Sequence, residues 1–507
     1  MDYIIVQAGG KGSRLEYLTK NKPKALVPVE NLPMIFHLFR KYPDKRFIVI
    51  ADYKKEVMRR YLAAFAGVKY LIVEAEGTGT CSGVRQALEL VPEGEAFMLV
   101  WSDLILPEAF SLPPEYEDPE KNGVPEKDYV GLSGTFPCRW KYENRSFSEE
   151  RSVEYGVAGF FLFAEKQRLP EVPVSGELVK WMGEAGLSFE EISLAGTREF
   201  GLLEEYEKLE EEKCRPFNRI TIKGERLIKE PVDDQGRSLA EREAAWYRKA
   251  QELIGSGGGA LPEIYGFSPL EMERIRGKNI YECELSDESR RGILKKLVEA
   301  LKKLHEADSI PSDPFSLKEA YFTKTMKRLS LVEELVPFAR DPFVTVNGRK
   351  CRNVFFHREE LEKKLEGLSS ERFSFIHGDC TFSNLMLRED ESPVFIDPRG
   401  YFGFTRLYGD VRYDWAKLYY SVVGNYDQFN LKRFRLEIDE NEVKLKIRSN
   451  GWEALEPDFF ELTGTDPEEI KLLHAVIWLS LTTYAWQDYD SICGAFYNGL
   501  YYLEEVL

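Results

Sequence analysis

Residues 375–400 read FIHGDCTFSNLMLREDESPVFIDPRG, and this stretch decides what the C-terminal part of the 507-residue chain folds into. It sets His377, Asp379 and Asn384 in the spacing H-x-D-x-x-x-x-N, and the apolar run Pro393 to Ile396 delivers Asp397 at the end of a predicted strand. That layout suits phosphoryl transfer. An Asp on a loop accepts the proton of an attacking hydroxyl, an Asn a turn later ligates Mg²⁺, and a second Asp after a strand holds the ion against the phosphates of ATP. Asp379, Asn384 and Asp397 fill these roles in turn. The bland alternative is a polar turn with a helix-capping Asp, and the strand-borne Asp397 argues against it.

Working outward, Asn218 to Ile222, a Lys-Gly-Glu turn and Arg226 to Glu230 predict a β-hairpin. Lys229 on its second strand is placed to reach the ATP phosphates, and Glu243, in a helical stretch from Leu239 to Leu253, is placed to orient that lysine. Gly255 to Gly259 follows the helix rather than joining two strands and reads as a flexible connector. Ile293 to His305 has the spacing of an amphipathic helix, with His305 expected to be a buried structural residue. Phe434 to Ile447 alternates around Asp439-Glu440-Asn441 and predicts an inserted hairpin. Trp415, Tyr419, Tyr420, Trp478, Tyr484, Trp486 and Tyr489 make the last helices aromatic. Such rings either cage a quaternary ammonium by cation–π attraction or simply form core.

The HGDxxxxN and IDPRG segments resemble the aminoglycoside phosphotransferase and choline kinase superfamily, which uses them where protein kinases use HRDxxxxN and DFG. That resemblance implies an α+β protein-kinase-like phosphotransferase domain acting on a small molecule. It also makes Leu261 to Ile275 the strand, hinge and exit segment that meets adenine.

The other end of the chain carries a different signature. Tyr3 to Ala8 is a strand-like run ending in Gly9-Gly10-Lys11-Gly12-Ser13-Arg14-Leu15, followed by Lys22-Pro23-Lys24-Ala25-Leu26. A glycine turn between strand and helix turns backbone N–H groups toward a phosphate, and a helix N-terminus adds a favourable field. Arg14 and Lys24 then neutralise a triphosphate. The run is not a Walker loop, and Leu15 replaces the third glycine of a dinucleotide fingerprint. Phe47 to Ala51, the turn Glu76 to Thr80 before a helical stretch Ser82 to Leu90, and Phe97 to Trp101 running into Asp103 alternate as an α/β doubly wound sheet, with ligands at the carboxyl ends of its strands.

G-G-x-G-x-R-L with a downstream P-K-x-L resembles the nucleotidyltransferases that make nucleotide sugars and CDP-alcohols. The resemblance implies that Gly9, Gly10, Gly12 and Ser13 line the nucleotide, that Arg14 and Lys24 contact the NTP and the acceptor phosphate, that Gly77 and Thr78 hold base or acceptor, and that Asp103 binds Mg²⁺. Tyr155 to Phe163 resembles the strand beneath the acceptor. A second metal-binding Asp has no match, since Leu194 to Thr197 occupies its expected place.

Length requires two or three cores, and the charged helical run Leu202 to Lys213 reads as the joint. The expected domains are a nucleotidyltransferase at 1–205, a linker helix at 206–214, and a kinase-like domain at 215–507 with an N-lobe to about 273 and a C-lobe from about 277. A net charge of −17 speaks against nucleic acid or an anionic membrane as partner. No leader, no membrane span and seven scattered Cys without ligand spacing fit a reduced cytoplasm. A kinase makes a phosphate monoester and a nucleotidyltransferase consumes one. The expectation is therefore a bifunctional enzyme using ATP, Mg²⁺ and a second NTP, with CTP favoured over UTP. A choline-like amino alcohol is the favoured acceptor, giving an activated precursor for surface polysaccharide or lipid decoration. The alternatives are a sugar kinase fused to a sugar-1-phosphate nucleotidyltransferase, or an active kinase beside a non-catalytic nucleotide-binding module.

Overall fold

The structure is a computed structural model, and it describes residues 1–201, 203, 206, 218–232, 234–255 and 260–507. The expected linker helix and most of the expected glycine connector lie outside the described residues. Two compact units divide the chain, Met1–Glu210 with Trp486–Asp490, and Glu211–Ala485 with Ser491–Leu507.

Runs such as YIIV and FMLVW, with no polar alternation, suit strands covered on both faces. The first unit builds a seven-stranded sheet from β1 (Tyr3–Gln7), β2 (Arg46–Ala51), β3 (Lys69–Glu74), β4 (Phe97–Trp101), β5 (Tyr129–Leu132), β6 (Val157–Phe163) and β7 (Glu190–Ser193), in the order β7-β5-β6-β4-β1-β2-β3. Helices Met34–Lys41 (α1), Lys55–Phe65 (α2), Val84–Glu89 (α3) and Leu178–Glu184 (α4) alternate with these strands. One strand departs from the doubly wound expectation, since β6 runs antiparallel to both β4 and β5. Its register against β5 slips between Val157 and Phe161, at Gly159. Gly159 has φ +81°, and a Cβ there would fall on the Trp101 ring. Glycine is thus required both by the backbone and by the indole that covers it.

The turn after β1 also differs from its expectation. Ser13–Thr19 is a 3₁₀ segment broken at Glu16, whose φ is +48°, rather than the start of an α-helix. The expected α-helix N-terminus with its field is therefore absent at the glycine turn.

In the second unit, β8 (Asn218–Lys223) and β9 (Arg226–Pro231) form the hairpin, completed by β10 (Ile264–Phe267) and β11 (Leu270–Glu273) in the order β8-β9-β11-β10. Helix α5 (Asp234–Ile254) follows the hairpin, and α6 (Asp287–Ala307) begins the helical part. Strands β12 (Leu385–Arg388) and β13 (Pro393–Phe395) pair antiparallel and present the loop between Phe375 and Asn384. Helices α7 (Lys324–Ser330), α8 (Val411–Val422) and α9 (Pro467–Leu481) complete this part. The hairpin Phe434–Ile438 with Val443–Ile447 forms as expected, and Phe343–Val346 and Arg349–Arg352 extend it to four strands. Among the described residues no helix is long and apolar enough to cross a membrane.

Candidate active sites

The first unit opens a cleft of about 660 Å³ at the carboxyl ends of β1 and β4. Gly9, Gly10, Lys11 and Arg14 line one side, and Lys24, Trp101 and Asp103 another. Gly12 and Ser13 are outside this wall. Gly12 instead takes a φ of +64° against the Lys24 side chain, so it shapes the turn that brings Lys24 in. Gly77 and Thr78 are not in the wall either. Their N–H groups donate to Ser82 Oγ at 2.9 Å and Ser175 Oγ at 3.0 Å, and Gly79 and Thr80 line the cleft in their stead. The turn is tied down by its own hydroxyls, which moves its ligand-facing edge two residues on.

Asp103 follows β4 and is nearly buried, and Lys24 Nζ donates to its Oδ2. Beside them stands a carboxylate that the sequence reading missed. Arg198–Glu199 pairs antiparallel with Leu104–Ile105, which sets Glu199 opposite Leu104 and 3.7 Å from Lys24 Nζ. Burial works against the Asp103 carboxylate, but the Lys24 ammonium outweighs it and holds Asp103 below its ordinary range. Glu199 is pushed up to about 7 by burial and by the Asp103 charge. Two buried carboxyl groups share too little positive charge, and a hard divalent cation with oxygen ligands would relieve them. Asp103 and Glu199 therefore fit Mg²⁺, with phosphate oxygens completing its shell. Glu199 lies two residues after Thr197, the end of the segment where the sequence shows no second Asp.

The second unit assembles its site from four segments. Lys229 on β9 is buried, with Nζ 2.8 Å from Glu243 Oε1 on α5, and it also donates to Asp397 Oδ1. Burial alone would lower the lysine, yet Asp397 and Glu243 raise it above its ordinary value and keep it charged. Asp397 has φ +55°. Asn384 is buried, and its Nδ2 donates to the Asp379 carbonyl at 2.9 Å, while Ile396 N donates to the Asn384 carbonyl at 2.9 Å. The last bond joins the segments of Asn384 and Asp397. Carboxylate and amide oxygens of this kind suit Mg²⁺ carried by ATP phosphates.

The loop holding Asp379 hangs on Asp414 of α8. Its carboxylate accepts from His377 N at 2.9 Å and Gly378 N at 2.6 Å, and His305 Nε2 lies 2.9 Å away. His305 is thus structural, as its helix pattern suggests, and orients the carboxylate that carries the loop. His377 donates through Nε2 to the Ile396 carbonyl at 3.0 Å and accepts at Nδ1 from Asp379 N, and burial lowers its pKa. This fixes the neutral tautomer. Asp379 itself meets Lys417 Nζ at 3.1 Å. Asp414 and Lys417 both lie in the YDWAK run of α8, four and seven positions after Asp410, with no motif to mark them.

The aromatic cage is not where the sequence allowed it. Trp415, Tyr419, Tyr420 and Trp478 are at most 4 % exposed, and Tyr420 packs edge-on to Trp478 at 4.8 Å. These rings are core, while Tyr484 is exposed.

Two family models match the chain. The phosphotransferase enzyme family matches residues 220–445, and the MobA-like NTP transferase domain matches 4–112. The bifunctional protein GlmU of Methanocaldococcus jannaschii is 35% identical over 107 residues, 21% of this chain and 25% of that protein. The D-glycero-alpha-D-manno-heptose 1-phosphate guanylyltransferase of Campylobacter jejuni is 33% identical over 100 residues, 19% of this chain and 45% of that protein. The chain thus spans less than half the length of these curated relatives. Among solved structures, the CTP:phosphocholine cytidylyltransferase of Streptococcus pneumoniae aligns at 18% identity and a TM-score of 0.31, over 42% of this chain and 99% of that one.

Proposed function

We propose that the segment matching the MobA-like NTP transferase domain and the segment matching the phosphotransferase enzyme family act in sequence on one small molecule. The second unit phosphorylates an alcohol with ATP, and the first transfers an NMP from a second NTP onto the new phosphate, releasing pyrophosphate. The observation that carries this reading is that each unit sets one lysine against two carboxylates. Lys229 lies between Glu243 and Asp397, and Lys24 between Asp103 and Glu199.

In the phosphotransferase step the acceptor O–H lies against Asp379, which takes its proton as the oxygen bonds to the γ-phosphorus and the bond to ADP breaks. Lys229 holds the phosphates, and Glu243 holds Lys229. Asn384 and Asp397 would hold a Mg²⁺, which would supply charge neutralisation at the phosphates. In the transferase step the acceptor phosphate is already an anionic nucleophile, so no base is required. Arg14 and Lys24 align it with the α-phosphorus as the bond to pyrophosphate breaks, and Asp103 with Glu199 would hold a Mg²⁺ that would supply charge neutralisation there.

The acceptor is a small alcohol or sugar, and CTP or UTP is the second nucleotide. The expectation of choline rested on the resemblance of the two halves to choline kinase and phosphocholine cytidylyltransferase, and the burial of Trp415, Tyr419, Tyr420 and Trp478 takes those rings away as walls of a cation cage. The test is mass spectrometry of products from the purified chain with Mg²⁺, ATP, all four NTPs and a pool of alcohols and sugars. A nucleotide conjugate that needs both ATP and a second NTP is expected. A phosphorylated alcohol with no conjugate would sink the coupled reading and leave only the kinase.

A further inference from the structure

Catalysis in the second unit requires the acceptor hydroxyl within hydrogen-bond reach of Asp379, so the remaining acceptor atoms lie among whatever surrounds that carboxylate. What surrounds it is positive. Lys417 of α8 is 3.1 Å from Asp379 Oδ1. Arg399, two residues after Asp397, donates from Nη1 to Tyr413 Oη at 3.1 Å, and its backbone N donates to the His377 carbonyl at 2.9 Å. Lys324 of α7 sits with Nζ 5.7 Å from the Tyr413 ring centre, and Arg328, one turn on, lies over the exposed Tyr484 at 5.8 Å. All four cations are mostly buried yet keep some exposure, with the Lys417 side chain 12 % exposed. Among the described residues Asp379 is the one carboxylate within ion-pair distance of any of them.

The cluster is out of electrostatic balance. Burial lowers the Lys324 ammonium to about 8, and Arg399, Arg328 and Lys417 add to that push. Burial would raise the Tyr413 phenol, yet Arg399, Lys324 and Lys417 bring it down to about 7. Four cations outnumber the Asp379 carboxylate and the Tyr413 phenol drawn toward its anion, so the cluster favours a further anion and repels a cation.

We propose that the phosphotransferase site takes an alcohol that already bears an anionic group, a carboxylate or a phosphate, and that Lys324, Arg328 and Arg399 bind that group. This rests on the kinase reading of the second unit. It replaces the amino-alcohol acceptor with one of opposite charge. Lys229, read as the lysine of the ATP α/β-phosphates, lies on the strand Arg226–Pro231 beside Glu243. Lys324 and Arg328 come instead from α7, on the chain between α6 and the Asp379 loop.

The test compares four acceptors of similar size with the full chain, Mg²⁺ and ATP: glycerate, glycerol 3-phosphate, glycerol and choline. An anionic alcohol is expected to exceed glycerol in kcat/KM by about tenfold to a hundredfold and choline by more. Whether glycerate or glycerol 3-phosphate leads identifies the anion as carboxylate or phosphate. Lys324→Met and Arg328→Met should each raise the KM of the preferred anionic acceptor about tenfold, or about 1.4 kcal/mol, while the KM for ATP moves less than twofold. In the unaltered protein, inorganic phosphate should compete with the acceptor and not with ATP. Choline or glycerol leading the series overturns the inference and leaves the kinase standing. A rise in the KM for ATP alone reassigns the cations to the γ-phosphate and also overturns it. ADP formation with none of these alcohols, nor with a wider pool of neutral and cationic ones, would overturn the kinase reading as well.

Discussion

The two candidate sites each set one lysine against two carboxylates and balance the charges differently. In the second unit Lys229 is locked between Glu243 and Asp397, and burial fails to discharge the lysine because two carboxylates hold it. In the first unit Lys24 sits close to Asp103 only, and Glu199, farther off, rises to about 7. One site is a finished ion-pair network, and the other is short of positive charge. The contrast follows the chemistry proposed for each. A kinase must activate a neutral hydroxyl and so adds Asp379 to a pre-set frame, whereas a nucleotidyltransferase receives an anionic nucleophile and needs only charge supplied with its substrate.

The sharpest way to break this comparison is Asp379→Asn. Loss of the proton acceptor is expected to lower ATP-dependent phosphorylation by about 10² to 10⁴-fold, measured as ADP formation, while transferase activity on a ready-made phosphate monoester persists. Equal loss of both would mean the sites are not separate. Asp103→Asn should act in mirror image, lowering pyrophosphate release by about 10² to 10³-fold with ADP formation retained.

A smaller effect sharpens the difference in charge balance. Glu199→Gln removes the weaker of the two carboxyl groups, and a transferase loss of about tenfold, or about 1.4 kcal/mol, is expected, together with a higher Mg²⁺ concentration for half-maximal rate. An unchanged Mg²⁺ dependence would show that Glu199 does not share the ion with Asp103.

The least effect at neutral pH concerns the stability of the second unit. His474 is buried, accepts from Trp478 Nε1 at 2.9 Å, and is lowered by burial to about 3. An unfolded His binds a proton near pH 6.5 and the folded one does not, so its contribution is full above pH 6.5. It is lost as pH falls toward 3, by up to about 1.4 kcal/mol per pH unit. His474→Gln retains a hydrogen-bond acceptor without the titration. Denaturant melts at pH 7 and pH 5 should therefore show a smaller pH loss in the variant, and equal losses would exclude His474 as the cause.

The readable parts of each site were those held in a short run of chain. Asp379, Asn384 and Asp397 lie within one loop and two strands, and the backbone bond from Ile396 to Asn384 joins what the sequence already sets close. Gly9, Gly10, Arg14 and Lys24 form one turn and its continuation. The hairpin and the helix bearing Glu243 were legible because period-two and helical patterns report the local fold. Gly77 and Thr78 misled by two residues, since hydrogen bonds to Ser82 and Ser175 decided which edge of the turn faces the cleft.

Sequence by itself thus determined the alternation of strands and helices and the local motifs from which the two proposed chemistries are read. Tertiary structure alone decided the rest. Glu199 reaches Asp103 through a two-residue strand pairing across more than ninety positions, and Asp414 and His305 meet under the Asp379 loop from separate helices. Lys324, Arg328, Arg399 and Lys417 converge from three segments. No spacing rule records such meetings, because side chains distant in sequence become neighbours only when buried faces pack, and charge balance is a property of the packed neighbourhood rather than of any one segment.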